Sequence, residues 1–376
     1  MSVQNYKHNG EKPLNREPPL EKLISNFITT EDGYDRNHGP IPIIDAKVHR
    51  VTVDGAVRTR LSLSLQDLKS LPQYTVICAL QCAGNRRHTM RTEIKEVSGI
   101  DWFDGAVMNC KWRGPLLREV LMQAGGTEIE EADAHVAFAC HQNPCEDDEW
   151  YGASIPLARA MSKDADVLVA LEMNDAPLTP KHGYPVRVIT PGIAGARSVK
   201  WLDRITVQRS ESPNYYQQRD YKILPPNIDS PEKADRDDAW DHVPAIQDMP
   251  VNSVIGVPTA NTKVERDAAG AIDVKGYALP AGSSGPVTKV EVSGDGGRTW
   301  QDAELLGDEH HEENGTSLNW AWRLWRTTIK MEEGKGRTLL SRATDKGGNM
   351  QEKRSPWNLR GCAYNGYGEV RGLEIV

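Results

Sequence analysis

The chain has no apolar run near the roughly 20 residues a membrane-spanning helix needs. Its first residues, MSVQNYKHNGEKPLNREPP, are polar and proline-bearing, so they lack the apolar core of a secretory signal. Positive charge is also short: 45 Lys and Arg against 53 Asp and Glu give a net charge of -8, which excludes a general phosphate-backbone binder. Any anion held here needs a local concentration of cations. There is no CxxC pair, and six cysteines in 376 residues are too few for a disulfide scaffold. Cys140 and Cys145 enclose His141, but no second pair lies at the spacing of a closed zinc site. Reduced thiols in a neutral or reducing intracellular compartment are the simpler reading. A GxxxxGK[ST] phosphate loop, a GxGxxG after a strand, HExxH and GxSxG are all missing as well. What remains is a chain with 38% hydrophobic and 26% charged residues, long enough for two or three domains.

Up to about Gln208, short apolar strands alternate with helical segments. Ser64 and Asp67 read as a capping box opening a helix that Pro72 stops. Tyr74 to Leu80 reads as a buried strand. Pro115 stands where a first helical residue would, and Gly125 and Gly126 end that helix. Val167–Leu171 and Val186–Ile189 read as further strands. From about 211 the composition turns acidic and proline-rich, which predicts an extended connection; Tyr215, Tyr216, Tyr221 and Trp240 make it a packed one. Beyond it, alternation at Val290 and Val292 and at Trp320, Trp322 and Leu324 predicts strands. Turns are predicted at Asp295-Gly296-Gly297 and Asp345 to Asn349. The expected fold is α+β: a mixed α/β domain over 31–245, its connection at about 211–245, then an all-β immunoglobulin-like sandwich over 246–376. Residues 1–30 form an N-terminal extension.

One string carries chemistry. Gln81-Cys82-Ala83-Gly84-Asn85-Arg86-Arg87 follows the buried strand directly, and a thiol beside two guanidinium groups is expected to have a lowered pKa. Thiolate either attacks an electrophile or binds a soft metal; a structural cysteine in a tight turn is the plain alternative.

QCAGNRR resembles the molybdenum-cysteine loop of the sulfite oxidase family, which includes the molybdenum domain of eukaryotic nitrate reductase. Further blocks match in order: Arg36-Asn37-His38, Tyr151 to Leu157, His182 to Arg187 running on to Gly195 through Leu202, Arg219 to Lys222, and Trp357 to Gly361. The resemblance implies a molybdenum–molybdopterin cofactor, with Cys82 as the protein thiolate on the metal. It implies pterin contacts from Tyr34, Asp35, Arg36, Asn37, His38, His182, Arg187, Ser198, Val199 and Lys200. Arg187 and Lys200 are natural phosphate partners. It also implies a sulfite pocket of Arg36, Arg87, Arg360 and Trp102, with Tyr221 near the metal. Arg360 follows Trp-Asn-Leu, where the nitrate-reducing branch typically has methionine, and this favours sulfite. The expected activity is therefore oxidation of sulfite to sulfate by a homodimer, without haem, passing electrons to dioxygen or a separate cytochrome. No nucleic-acid or membrane partner is expected. The location is expected to be intracellular and soluble, whether cytoplasmic, mitochondrial or peroxisomal. The rivals are reduction of nitrate or another oxyanion or oxide on the same cofactor, and a metal-free thiol-redox or non-catalytic protein.

Overall fold

The computed structural model describes residues 6–8, 13–30, 33–129, 132–310 and 318–376. Strand Tyr74–Gln81 is buried at Val76, Ile77, Cys78, Leu80 and Gln81, so it is covered on both faces. It pairs antiparallel along its whole length with Val107–Gly114, from Tyr74 opposite Gly114 to Gln81 opposite Val107. Two short strands, Glu172–Met173 and Ala176–Pro177, complete a four-stranded sheet. A five-stranded sheet runs in the order Leu61–Leu63, Val51–Gly55, Arg204–Gln208, His135–Cys140, Tyr151–Pro156. Only the pairing of Val51–Gly55 with Arg204–Gln208 is parallel there. Strands Leu168–Ala170 and Arg187–Ile189 pair with each other.

The helices of this half are short and locally determined. Ser64 caps Leu65–Ser70: its hydroxyl accepts from the Asp67 N–H while the Asp67 carboxylate accepts from the Ser64 N–H. Such a cap contributes about 1 kcal/mol. The next expected helix starts later than its proline suggested, at Leu117. The Pro115 carbonyl instead accepts from Val169, and the Leu117 N–H donates to Val167, so the chain is still pairing with the neighbouring strand there. Gly125 and Gly126, both at φ +83°, do end it.

The stretch after residue 210 also departs from expectation. It is not extended but coiled into helical turns at Tyr216–Asp220, Pro231–Arg236 and Ala239–His242. Proline at a first helical position behind a Ser230 cap starts a helix, so the same composition served a different end. Tyr216, Tyr221 and Trp240 are buried, as their aromaticity predicted.

The C-terminal half is two facing antiparallel-rich sheets. One has the order Asn252–Val257, Ala271–Leu279, Arg323–Lys330, Glu304–Leu306. The other runs Lys263–Val264, Gly368–Ile375, Gly334–Asp345, Val287–Ser293, Gln301–Asp302. Val274, Val290, Val292, Trp325, Leu339 and Leu373 fill the space between them. Trp320 and Trp322 precede the strand they were expected to join, which begins at Arg323. Both are buried against the first half, where their indole N–H groups donate to the Asp166 carboxylate at 2.7 Å and the Phe27 carbonyl at 2.8 Å. Ile77 and Val107 share one apolar cluster with Val254, Tyr277 and Trp322, so the strand leading to Cys82 is backed by the sandwich. No helix among the described residues is long and apolar enough to cross a membrane.

Candidate active site

Strand Tyr74–Gln81 ends at its last ladder residue, and the next six residues fold into a tight turn. The Cys82 N–H donates to the Ala106 carbonyl at 2.9 Å, and the Cys82 carbonyl accepts from Asn85 at 3.0 Å. The Asn85 side chain locks the turn from behind, accepting from the Ala106 N–H and donating to the Tyr277 hydroxyl, both at 3.0 Å. Arg86 takes a left-handed φ of +67° and turns away from the cavity into the sandwich. There it donates to Asn252 Oδ1 at 2.7 Å and to the Gly366 and Tyr367 carbonyls at 2.6 and 2.8 Å. Cys82 is thus held at three levels: strand, turn and neighbouring domain.

The thiol lines a cavity with about 850 Å³ not filled by protein atoms, open solvent at its mouth included. Burial raises the Cys82 thiol pKa, and the opposing pull of Arg87 and Arg36 does not overcome it. This corrects the expectation of a lowered value, because the guanidinium groups come with loss of water as well as charge. A coordinated metal ion would deprotonate such a thiol outright.

Four cations share the cavity wall: Arg36, Lys181, Arg187 and Lys200. Burial pushes Arg187 down to about 10 and, helped by Arg187, Lys200 down to about 7. Arg187 donates to the His182 and Ser198 carbonyls at 3.0 Å each and lies over the Trp112 ring, yet its Nε has no hydrogen-bond partner. Lys200 donates to the Arg36 and Lys181 carbonyls at 3.2 and 3.0 Å and to Asn37 Oδ1. His182 is pinned through Nδ1 to the Thr179 hydroxyl at 2.9 Å, and burial with surrounding cations holds its pKa down at about 3. Its Nε2 makes no hydrogen bond and stands 3.9 Å from Asp35 Oδ1. Asp35 is buried behind this wall, paired to Arg16 at 2.7 Å. Tyr34 reaches the cavity over Gly195, where a Cβ would come within 2.8 Å of its hydroxyl. Ser198 spends its hydroxyl on Thr190, and Val199 is buried with its carbonyl accepting from Val188.

Of the expected site residues, Tyr34, Arg36, Asn37, His38, Cys82, His182, Arg187, Ser198, Lys200 and Tyr221 line the cavity. Asp35, Arg87, Trp102, Val199 and Arg360 stand outside that wall. The Arg87 guanidinium is sheathed by Gly84 and Gly99, where a Cβ would approach it to 2.6 and 2.7 Å. It donates to the Ile100 and Arg360 carbonyls at 2.8 Å each and to Cys362 Sγ at 3.7 Å. Trp102 is fully buried behind Tyr34, edge-on at 6.4 Å between ring centroids. Arg360 is paired with Asp220. Its pKa is lowered by burial and by Arg87 and Arg36, so these three arginines feel one another.

Sequence reasoning missed Lys181, Asn143, Cys145 and Tyr151 on the wall and Asp220 behind Arg360. Lys181 abuts, Tyr151 opens and Asp220 lies within a block already singled out, and that placement was the available signal. Asn143 and Cys145 lie on a loop with no periodicity; Asn143 clasps it to the Pro40 carbonyl at 2.7 Å. The Cys140–His141–Cys145 stretch gathers no zinc set: His141 pairs with Asp203 at 2.8 Å, and burial pushes both thiols up to about 12.

The donor set fits a molybdopterin-type cofactor. A soft sulfur faces a space ringed by cations, and the buried nitrogens His182 Nε2 and Arg187 Nε lack protein partners that a hydrogen-bonding ligand would supply. Residues 38–216 match the model of an oxidoreductase molybdopterin binding domain, and 243–371 that of a Mo-co oxidoreductase dimerisation domain. The chain is 44% identical over 370 residues to the mitochondrial sulfite oxidase of Homo sapiens, covering 97% of this chain and 65% of that protein. It is 37% identical over 374 residues to the sulfite oxidase of Arabidopsis thaliana, covering 94% and 90%. The sulfane dehydrogenase of Paracoccus pantotrophus superposes with a TM-score of 0.76 at 24% identity, over 100% of this chain and 91% of that one, a likeness of fold.

Proposed function

This chain belongs to the sulfite oxidase family of molybdopterin-binding oxidoreductases, and from that premise we propose that it oxidises sulfite to sulfate. The observation that carries the reading is the Cys82 thiol, fixed by its turn, in one cavity with Arg36, Arg187 and Lys200. Cys82 would hold molybdenum. Tyr34, Asp35, Asn37, His182, Arg187, Ser198, Val199 and Lys200 would hold or back the pterin, with Arg187 and Lys200 as partners of its phosphate. Once bound, the cofactor supplies oxygen-atom transfer and takes up two electrons.

The protein's own part is to gather a small, strongly hydrated dianion and keep it oriented. Arg36 on the wall, with Arg87 and Arg360 behind it, would replace the anion's water with charge-assisted hydrogen bonds; Arg36 and Arg87 both act on Cys82 and on Arg360. Arg360 must exchange Asp220 for the anion, so binding has an internal competitor. Trp102 braces Tyr34 from outside the cavity, and Tyr221 presents its hydroxyl on the wall. Electrons would pass to dioxygen or a separate carrier, and the sandwich would pair two chains. The six free thiols suit a reducing compartment.

The test is a paired assay. Sulfite with ferricyanide should turn over, and nitrate with reduced viologen should not. Cys82→Ser should abolish the first at unchanged thermal midpoint; an active Cys82→Ser protein contradicts the reading.

A further inference from the structure

His38 lines the cavity, and both of its ring nitrogens are engaged. Nδ1 lies 3.0 Å from Arg36 Nη2, and Nε2 lies 2.7 Å from the Tyr221 hydroxyl. We propose that His38 is a positioning residue that turns Tyr221 into a fixed hydrogen-bond donor to whatever anion occupies the cavity. The inference deepens the function proposed above and rests on it for the identity of that anion.

The argument is one of donor and acceptor bookkeeping. A guanidinium carries only donors, so at 3.0 Å the Nδ1 lone pair must accept from Arg36. A neutral imidazole then carries its single proton on Nε2. That N–H donates to the Tyr221 oxygen at 2.7 Å, which leaves the tyrosine proton uncommitted. Among the described residues the Tyr221 hydroxyl has no other hydrogen bond, and the residue lines the cavity. Its proton therefore has the cavity to point into.

Two alternatives fail on the same geometry. An imidazolium would set an N–H against the Arg36 N–H groups. Burial and the charges of Arg36, Arg360 and Lys200 push His38 well below its ordinary pKa, in line with a neutral ring. The opposite tautomer would aim Nδ1–H at Glu146, whose Oε2 is 3.5 Å away and whose side chain is half in solvent, while Arg36 is nearer. An Asp147 carboxylate oxygen also lies within 4.8 Å of a ring nitrogen, without a hydrogen bond to it, and the Tyr216 and Tyr151 rings, at 3.9 and 5.5 Å between centroids, hold the plane of the imidazole. The consequence for chemistry is directional. A tyrosine proton aimed at a dianion in a water-poor site stabilises it, whereas a tyrosine spending its proton on His38 would present a repelling lone pair.

The first test needs neither molybdenum nor sulfite, so its outcome is independent of the proposed activity. Neutron diffraction from the wild-type protein at neutral pD should show deuterium on His38 Nε2, none on Nδ1, and the Tyr221 deuteron turned away from His38. Deuterium on Nδ1, or a Tyr221 deuteron on the His38 side, overturns the inference. The second test reads sulfate affinity by calorimetry. His38→Ala and Tyr221→Phe should each weaken it about fivefold, the worth of one hydrogen bond. The double variant should be no worse than the weaker single one, and His38→Gln, whose amide can donate from the Nε2 position, should recover most of the loss. Additive losses, or no recovery by Gln, overturn it.

Discussion

The cavity and the C-terminal sandwich hold charge in opposite ways. On the sandwich, Lys289 and Arg342 meet Glu291 at 2.9 Å each, and Arg326 meets Glu304 at 2.7 Å. Asp295 closes its turn by accepting from the Arg298 and Thr299 N–H groups. Every one of these charges is met by an opposite charge or by turn N–H groups, with Lys289 and Arg342 sharing Glu291. In the cavity, Arg187 and Lys200 are buried on carbonyl and amide oxygens alone, and their pKa values fall accordingly. Buried cations with no carboxylate hydrogen-bonded to them cost free energy that a bound anion would return. The contrast separates charge that serves the fold from charge that awaits a ligand, and it can be broken or sharpened in four ways.

The largest effect belongs to Arg86, the one arginine of the Cys82 turn that faces the sandwich. Arg86→Ala leaves the Tyr367 carbonyl and the Asp104 carboxylate without their buried guanidinium partner, while Asn252 Oδ1 and the Gly366 carbonyl keep only Gln351; it should cost on the order of 3 kcal/mol, read as a lowered denaturation midpoint. Arg360→Met should raise the sulfite KM about 10- to 100-fold, the loss of one charged hydrogen bond of about 1.5–3 kcal/mol. It also strands Asp220, so Arg360→Met/Asp220→Asn should regain stability but not KM. Acid comes next. His182 titrates near 3 in the fold against an ordinary value of 6.5, so the unfolded chain binds the extra proton between those values. Stability of the cofactor-free protein should therefore be full above about pH 6.5 and fall as pH drops towards 3, and His182→Gln should flatten that slope. The smallest effect is Arg326→Ala on the sandwich surface, whose solvent-screened pair with Glu304 is expected to leave the urea midpoint unchanged within error.

Much of this was legible in the sequence, for identifiable reasons. The Ser64 cap, the strand before Cys82 and the alternating strand at Val290 and Val292 are local patterns, and each formed close to its predicted bounds; the alternation at Trp320 and Trp322 instead falls just ahead of its strand. The proline-rich connection misled because proline serves both extended chain and helix starts, and the choice rested on packing of Tyr216 and Trp240. Position 82 was legible as a site, but the direction of its pKa shift was not: a sequence shows the neighbouring arginines and hides the loss of water. Nor could the string Arg86-Arg87 show that adjacent guanidinium groups part company, one to Tyr367 and one to Ile100. A left-handed φ at Arg86 decides that, and no residue type announces it.

The central claim is that Cys82 and the cations around it hold a molybdenum cofactor, and elemental analysis of the purified chain beside Cys82→Ser tests it most directly. The account predicts equimolar molybdenum, and sulfite-dependent ferricyanide reduction that disappears in the variant. A native chain free of molybdenum under conditions that load the cofactor, yet equally active, would contradict it.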